Sequence, residues 1–109
     1  MELNDLAPKV LEKIGVLGAG ETATAEDLVK AKEKLSAAHA AVRARKLDRW
    51  TRHNLPETVI EPYINLAAVL VAPDFGATAG GDWWGWAMGE ISTAASTMKA
   101  QGPIPAEYF

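Results

Sequence analysis

The sequence contains no cysteine, which excludes disulfide staples, thiol nucleophiles and thiolate metal sites together and leaves the redox compartment open. Histidine is scarce: His39 and His53 lie 14 positions apart, with no carboxylate at the spacing that builds a metal site on a helix. Neither a metal nor a cofactor is expected. No uninterrupted apolar run reaches the roughly 18 residues that read as a membrane span. The opening stretch MELNDLAPKVLEKIGV has no basic start, apolar centre and small-residue cleavage site, so it does not read as a secretory leader. A soluble, unexported chain with no membrane partner is the expectation. A formal charge of -3 gives no global attraction to phosphate, although local charge can still matter.

Catalytic motifs are missing as well. Asp74-Phe75-Gly76 spells the magnesium-binding triplet of protein kinases, but 109 residues are too few for that fold, and the glycine loop, paired lysine and catalytic loop are absent. Gly15, Gly18 and Gly20 look phosphate-friendly, yet they follow a helical pattern instead of a strand and lack the P-loop lysine, so they read as a helix stop. No catalytic residue is expected and the chain does not read as an enzyme.

What is present is helical. With 109 residues, 49% of them hydrophobic, there is material for one compact domain and too little length for two. Asn4 or Asp5 is placed to cap a first helix whose Leu6, Val10, Leu11 and Ile14 share one face. A loop follows over Gly15 to Thr24, and Thr24-Ala25-Glu26-Asp27 approximates a capping box for a second helix running to about Lys46. Its Leu28, Ala31, Leu35, Ala38 and Val42 form a narrow stripe, and the alanines imply close packing. Leu47 to Pro56 loses the period and suits a short hairpin or loop insertion, with Pro56 in the first turn of a third helix. From Val59 to Val71 the third helix is apolar on nearly every side, which places it at the centre of the fold or of an assembly. Pro62 is tolerable if that helix begins beside it.

Pro73 to Gly76 ends the third helix, and a glycine-rich connector leads to a last helix from about Asp82 to Lys99. There Gly85, Gly89 and Thr93 recur every four residues and would present a smooth face to a neighbouring helix. The fold class expected is therefore all-α: a small antiparallel bundle of about four helices over residues 1–100, followed by an extended tail over 101–109. Pro103 and Pro105 exclude helix in that tail, which either folds back on its domain or docks Tyr108 and Phe109 in a partner.

Basic charge is clustered. Of 11 lysines and arginines, eight lie between Lys30 and Arg52, and Arg43, Arg45, Lys46, Arg49 and Arg52 form a dense block. Either these cations satisfy a helix C-terminus and solvate a surface, or they meet DNA or an acidic protein surface. Trp50, inside the block, either anchors in the core or stacks on a base.

The order of features resembles the head-to-tail adaptor proteins (tail accessory factors) of short-tailed bacteriophages. The residues that carry the likeness are Val10-Leu11-Glu12-Lys13-Ile14-Gly15-Val16, a long second helix, Asp48-Arg49-Trp50, and above all the block from Asn65-Leu66-Ala67 through Ala72-Pro73-Asp74-Phe75-Gly76. The resemblance implies a structural virion protein at the head-tail neck, assembled from the host cytoplasm. It would form a ring with itself, a dodecamer in the usual case, between the portal protein and the tail or nozzle proteins, and help retain packaged DNA. It also implies that Ile104, Tyr108 and Phe109 dock on the portal or another partner, and that Leu66, Val69, Leu70, Phe75, Trp83, Trp84 and Trp86 pack in the core or between subunits. The basic block would then face the packaged DNA or an acidic surface. The rival reading is a small helical DNA-binding or regulatory interaction module, or a helical subunit of an enzyme. The first loop, about nine residues, exceeds the three-to-four-residue turn of a helix-turn-helix.

Overall fold

The computed structural model describes residues 1–18 and 20–101, with the side chains of 99–101 outside that description. It is a bundle of four helices: α1, Ala7–Lys13; α2, Ala25–Ala44; α3, Glu57–Val71; and α4, Trp83–Gln101. Two short 3-10 turns, Leu3–Leu6 and Ala72–Phe75, precede α1 and follow α3. No strand occurs among the described residues. The tail positions Ile104, Tyr108 and Phe109 lie outside the described residues.

Local chemistry explains most boundaries. The Thr24 hydroxyl accepts from the Asp27 backbone N–H at 3.2 Å, the cap that opens α2, with Glu26 and Asp27 in the positive first turn. At the other end α2 stops at Ala44 instead of about Lys46, because Lys46 takes a left-handed φ of 57° and turns the chain away. Gly76, at φ 66°, closes the turn after α3. Asn4 and Asp5 do not cap α1: the residues before it form the Leu3–Leu6 turn, and Asn4 Oδ1 instead accepts from Arg52 Nη2 at 3.3 Å. Pro62 lies well inside α3, since the helix opens at Glu57 behind Pro56; it deprives the Thr58 carbonyl of its usual helical donor.

The segment 47–56 is a loop and forms no hairpin on itself. Its backbone pairs with the first residues of the chain. Leu55 N donates to Met1 O at 2.8 Å, the Met1 amino group donates to Leu55 O at 3.1 Å, and Leu3 N donates to Arg52 O at 2.7 Å. His53 Nδ1 and Glu2 Oε2 add a contact of 2.7 Å, and that hydrogen bond holds the Glu2 carboxyl below its ordinary range.

α3 is the axis of the bundle, packed by α1, α2 and α4, while α2 and α4 make no extensive contact with each other. With the turn that follows it, α3 has the length and composition of a membrane span, but Tyr63, Leu66, Ala67, Ala68 and Val71 are sealed by the surrounding helices. The α2 stripe packs as its spacing implies: Ala31, Leu35, Ala38 and Val42 are fully buried and Leu28 lies at the rim. Trp50 belongs to this core. The surface is tied by three pairs, Lys13–Glu61 at 3.2 Å, Arg43–Asp48 at 3.5 Å and Lys34–Asp74 at 3.9 Å, each exposed enough to contribute little.

The outer side of α4 is open. Gly85, Gly89 and Thr93 face solvent, and a Cβ built on Gly89 would meet nothing within 4 Å, so this smooth face packs on no helix among the described residues. Trp86 lies on the same outer side at 44% exposure and is no core residue, because α4 turns Ala87, Met88, Ile91 and Ala95 inward. Trp83 and Trp84 are half-buried against the core, as are Leu70 and Phe75; Val69 is half-buried, and Leu66 is fully buried. The Trp83 indole lies where a side chain on Gly80 would stand, which accounts for that glycine, and Lys13 Nζ covers the ring at 5.0 Å. Lys30 Nζ covers Phe75 in the same way at 5.1 Å.

Candidate functional site

A polar concavity lies between the second half of α2 and the loop after it. Ser36, His39, Ala40 and Arg43 of α2 form one wall, Asp48, Trp50, Thr51 and Arg52 the other, enclosing about 360 Å³. Its floor is a buried hydrogen-bond chain. Trp50 Nε1 donates to Tyr63 Oη at 3.0 Å, and Tyr63 Oη lies 2.8 Å from His39 Nδ1. Indole nitrogen only donates, so Tyr63 Oη accepts from Trp50, and its own buried proton has one acceptor in reach, His39 Nδ1. That assignment makes His39 the neutral tautomer with its proton on Nε2. Burial lowers the His39 pKa, as do the charges of Arg43 and Arg52, while the Asp48 charge opposes them. Burial also pushes the Tyr63 hydroxyl up to about 12, so both rings are neutral near pH 7.

The basic block divides by role. Arg52 is part-buried, its Nη2 donating to Asn4 Oδ1 at 3.3 Å and to Ser36 Oγ at 3.2 Å. Arg43 pairs through Nε with Asp48 and also lines the cleft. Arg45, Lys46 and Arg49 are exposed, and none of them lines this cleft. The structure thus brings Arg43 and Arg52 together and leaves the other three on the open surface. Among the described residues no group of three His, Asp or Glu side chains is placed to hold a metal ion.

Apolar surface is concentrated in two other places. Pro56 and Thr58 at the start of α3, with Thr93, Ala94, Thr97 and Met98 of α4, line a groove of about 400 Å³ closed at one side by Glu90. On α2, Val29 is 55% exposed beside Ala25. Sequence reasoning did not single out Ser36, Asp48, Thr51 or the His39–Tyr63–Trp50 chain. The available signal was register: His39 is one turn from Leu35 and adjacent to Ala38 on the buried stripe, and a polar ring at a core position needs a buried partner.

Comparisons with protein-family models, with curated proteins and with solved structures give no match to this chain.

Proposed function

We propose that this chain is a non-enzymatic structural module, a head-to-tail adaptor that assembles with itself into a ring between a phage portal and tail. The observation that carries the reading is the pairing of two unlike apolar surfaces on opposite flanks of α3: Val29 on α2, and the groove ending at Met98 with the exposed Trp86 on α4. Exposed large apolar side chains grouped in this way mark interaction surfaces. Two different patches on one chain make a head-to-tail contact, and such contacts close into rings when the rotation allows. The likeness of Asn65 to Gly76 to the adaptor family supplies the portal and tail as partners. In this reading His39 serves packing and hydrogen bonding, and the module performs no chemistry. Many weak contacts suffice in a ring because each copy raises the effective concentration of the next.

The test is mass and shape. Light scattering and negative-stain microscopy of the full chain, alone and with a portal protein, are expected to show rings or portal-dependent rings. Val29→Asp and Met98→Asp should each abolish them, and mixing the two variants should give dimers that grow no further, since each supplies the patch the other lacks. A chain that stays monomeric with the portal and retards duplex DNA at moderate salt refutes the adaptor in favour of a DNA-binding module.

A further inference from the structure

The polar side chains that line the cleft beside His39 are mostly hydrogen-bond donors, set among the apolar surfaces of Ala40 and Trp50. Arg52 spends its Nη2 protons on Asn4 Oδ1 and Ser36 Oγ, two neutral acceptors, and no carboxylate lies within ion-pair distance of it among the described residues. Among the described residues its Nε and Nη1 donors have no hydrogen-bond partner. Ser36 Oγ accepts from Arg52, so the Ser36 proton is free to be given elsewhere. Thr51 adds an exposed hydroxyl to the same cleft. His39 has its Nδ1 engaged behind the wall, which leaves Nε2–H as the ring donor on the open side. The single acceptor charge is Asp48, which occupies Arg43 Nε and leaves the terminal Arg43 nitrogens unused. The Glu2 carboxylate offsets the Arg52 charge from beyond ion-pair distance, and an anion held directly against the part-buried guanidinium offsets it more.

We propose that this cleft is an oxyanion site that takes the phosphoryl group of a small phosphate monoester, gripped by Arg52 and Arg43 with the Ser36 and Thr51 hydroxyls and His39 Nε2–H. The donors come from two elements and more than one direction, which suits a tetrahedral dianion better than a planar carboxylate. At about 360 Å³ the cleft holds the phosphoryl head and the first atoms of its ester arm. Asp48 restricts access: a monoanion has to compete with it for Arg43, whereas a dianion has charge enough for both guanidinium groups. Arg52 is preorganised by Asn4 and Ser36, so binding requires no large ordering of its side chain. The site is independent of the adaptor reading, because its donors face a cleft separate from both apolar patches.

The experiment is an NMR titration of the full chain with inorganic phosphate at neutral pH and fixed ionic strength, following the Arg side-chain N–H and His39 ring signals. Saturable shifts at Arg52 and His39 are expected, with a phosphate monoester reproducing them. Arg52→Gln should weaken binding about tenfold or more. Arg43→Gln, at an exposed side chain whose loss the fold tolerates, should weaken it about threefold. Arg49→Gln, outside the cleft, should leave it unchanged. Shifts that never saturate, that acetate reproduces at equal concentration, or that persist in Arg43→Gln and Arg52→Gln alike would overturn the site. So would saturation by duplex DNA with no response to inorganic phosphate.

Discussion

The two flanks of α3 are built on different principles. Toward α2, large side chains interlock around a buried polar chain in which Tyr63 lies between Trp50 Nε1 and His39 Nδ1. Toward α4 the contact relies on small and aliphatic residues, Ala87, Met88, Ile91 and Ala95, with no side-chain hydrogen bond between the two helices among the described residues. Asn65 shares a face of α3 with Thr58, which lines the α4 groove; it is 5% exposed and its Oδ1 has no hydrogen-bond partner among the described residues. The α4 flank keeps Trp86 and Met98 in solvent and buries Asn65 Oδ1 with no hydrogen-bond partner among the described residues.

The contrast breaks most sharply at Tyr63. Tyr63→Phe strands two buried groups, so chemical denaturation should show a loss of about 2–4 kcal/mol. A change under half a kcal/mol would mean the chain His39–Tyr63–Trp50 contributes nothing net. Next in size is Gly80→Ala, which forces the Trp83 indole out of place and should cost about 1–3 kcal/mol, with loss of the Lys13 contact visible as a change in tryptophan fluorescence. On the other flank the sign reverses. Asn65→Leu removes an unsatisfied carbonyl and should raise stability by about 1 kcal/mol; a clear destabilisation would show that the amide is paired and that the two flanks are alike.

Stability should also depend on pH through His39. Its folded pKa lies below the ordinary value of 6.5, so as pH falls through 6.5 the unfolded chain takes up a proton that the folded chain refuses. The contribution is complete above 6.5, declines below it, and is gone once pH passes the folded value. His39→Gln should flatten that segment of a stability-against-pH curve, and an unchanged slope would assign it elsewhere. The smallest effect on folding is expected for Met98→Asp, within about half a kcal/mol, even though it should abolish self-assembly. That split between stability and assembly is what separates an outward surface from a core.

Much of the architecture was legible from residue order. Thr24 with Asp27 marks where α2 starts, the Ala31–Val42 stripe marks its buried side, and the nearly continuous apolar content of α3 marks the centre. These follow from spacing and capping, which act over one or two turns. Errors arose where partners are distant in sequence. Asn4 carries a good capping residue type but bonds Arg52 instead, and the 47–56 loop pairs with residues 1–3, a match no local pattern encodes. Trp86 looks like core by composition and is turned outward by the phase of α4, which depends on where that helix meets α3.

By itself, then, the order of amino acids determined an all-α chain with an apolar central helix and a basic segment after the second, because periodicity and charge are written residue by residue. Only the tertiary structure decided which basic residues work together. Folding α2 against the 48–52 loop separated Arg43 and Arg52, which share a cleft with His39, from Arg45, Lys46 and Arg49, which do not. It also turned Trp86 and Met98 outward while Ile91 and Ala95 went into the core, since burial is a property of neighbours that sequence spacing alone cannot place.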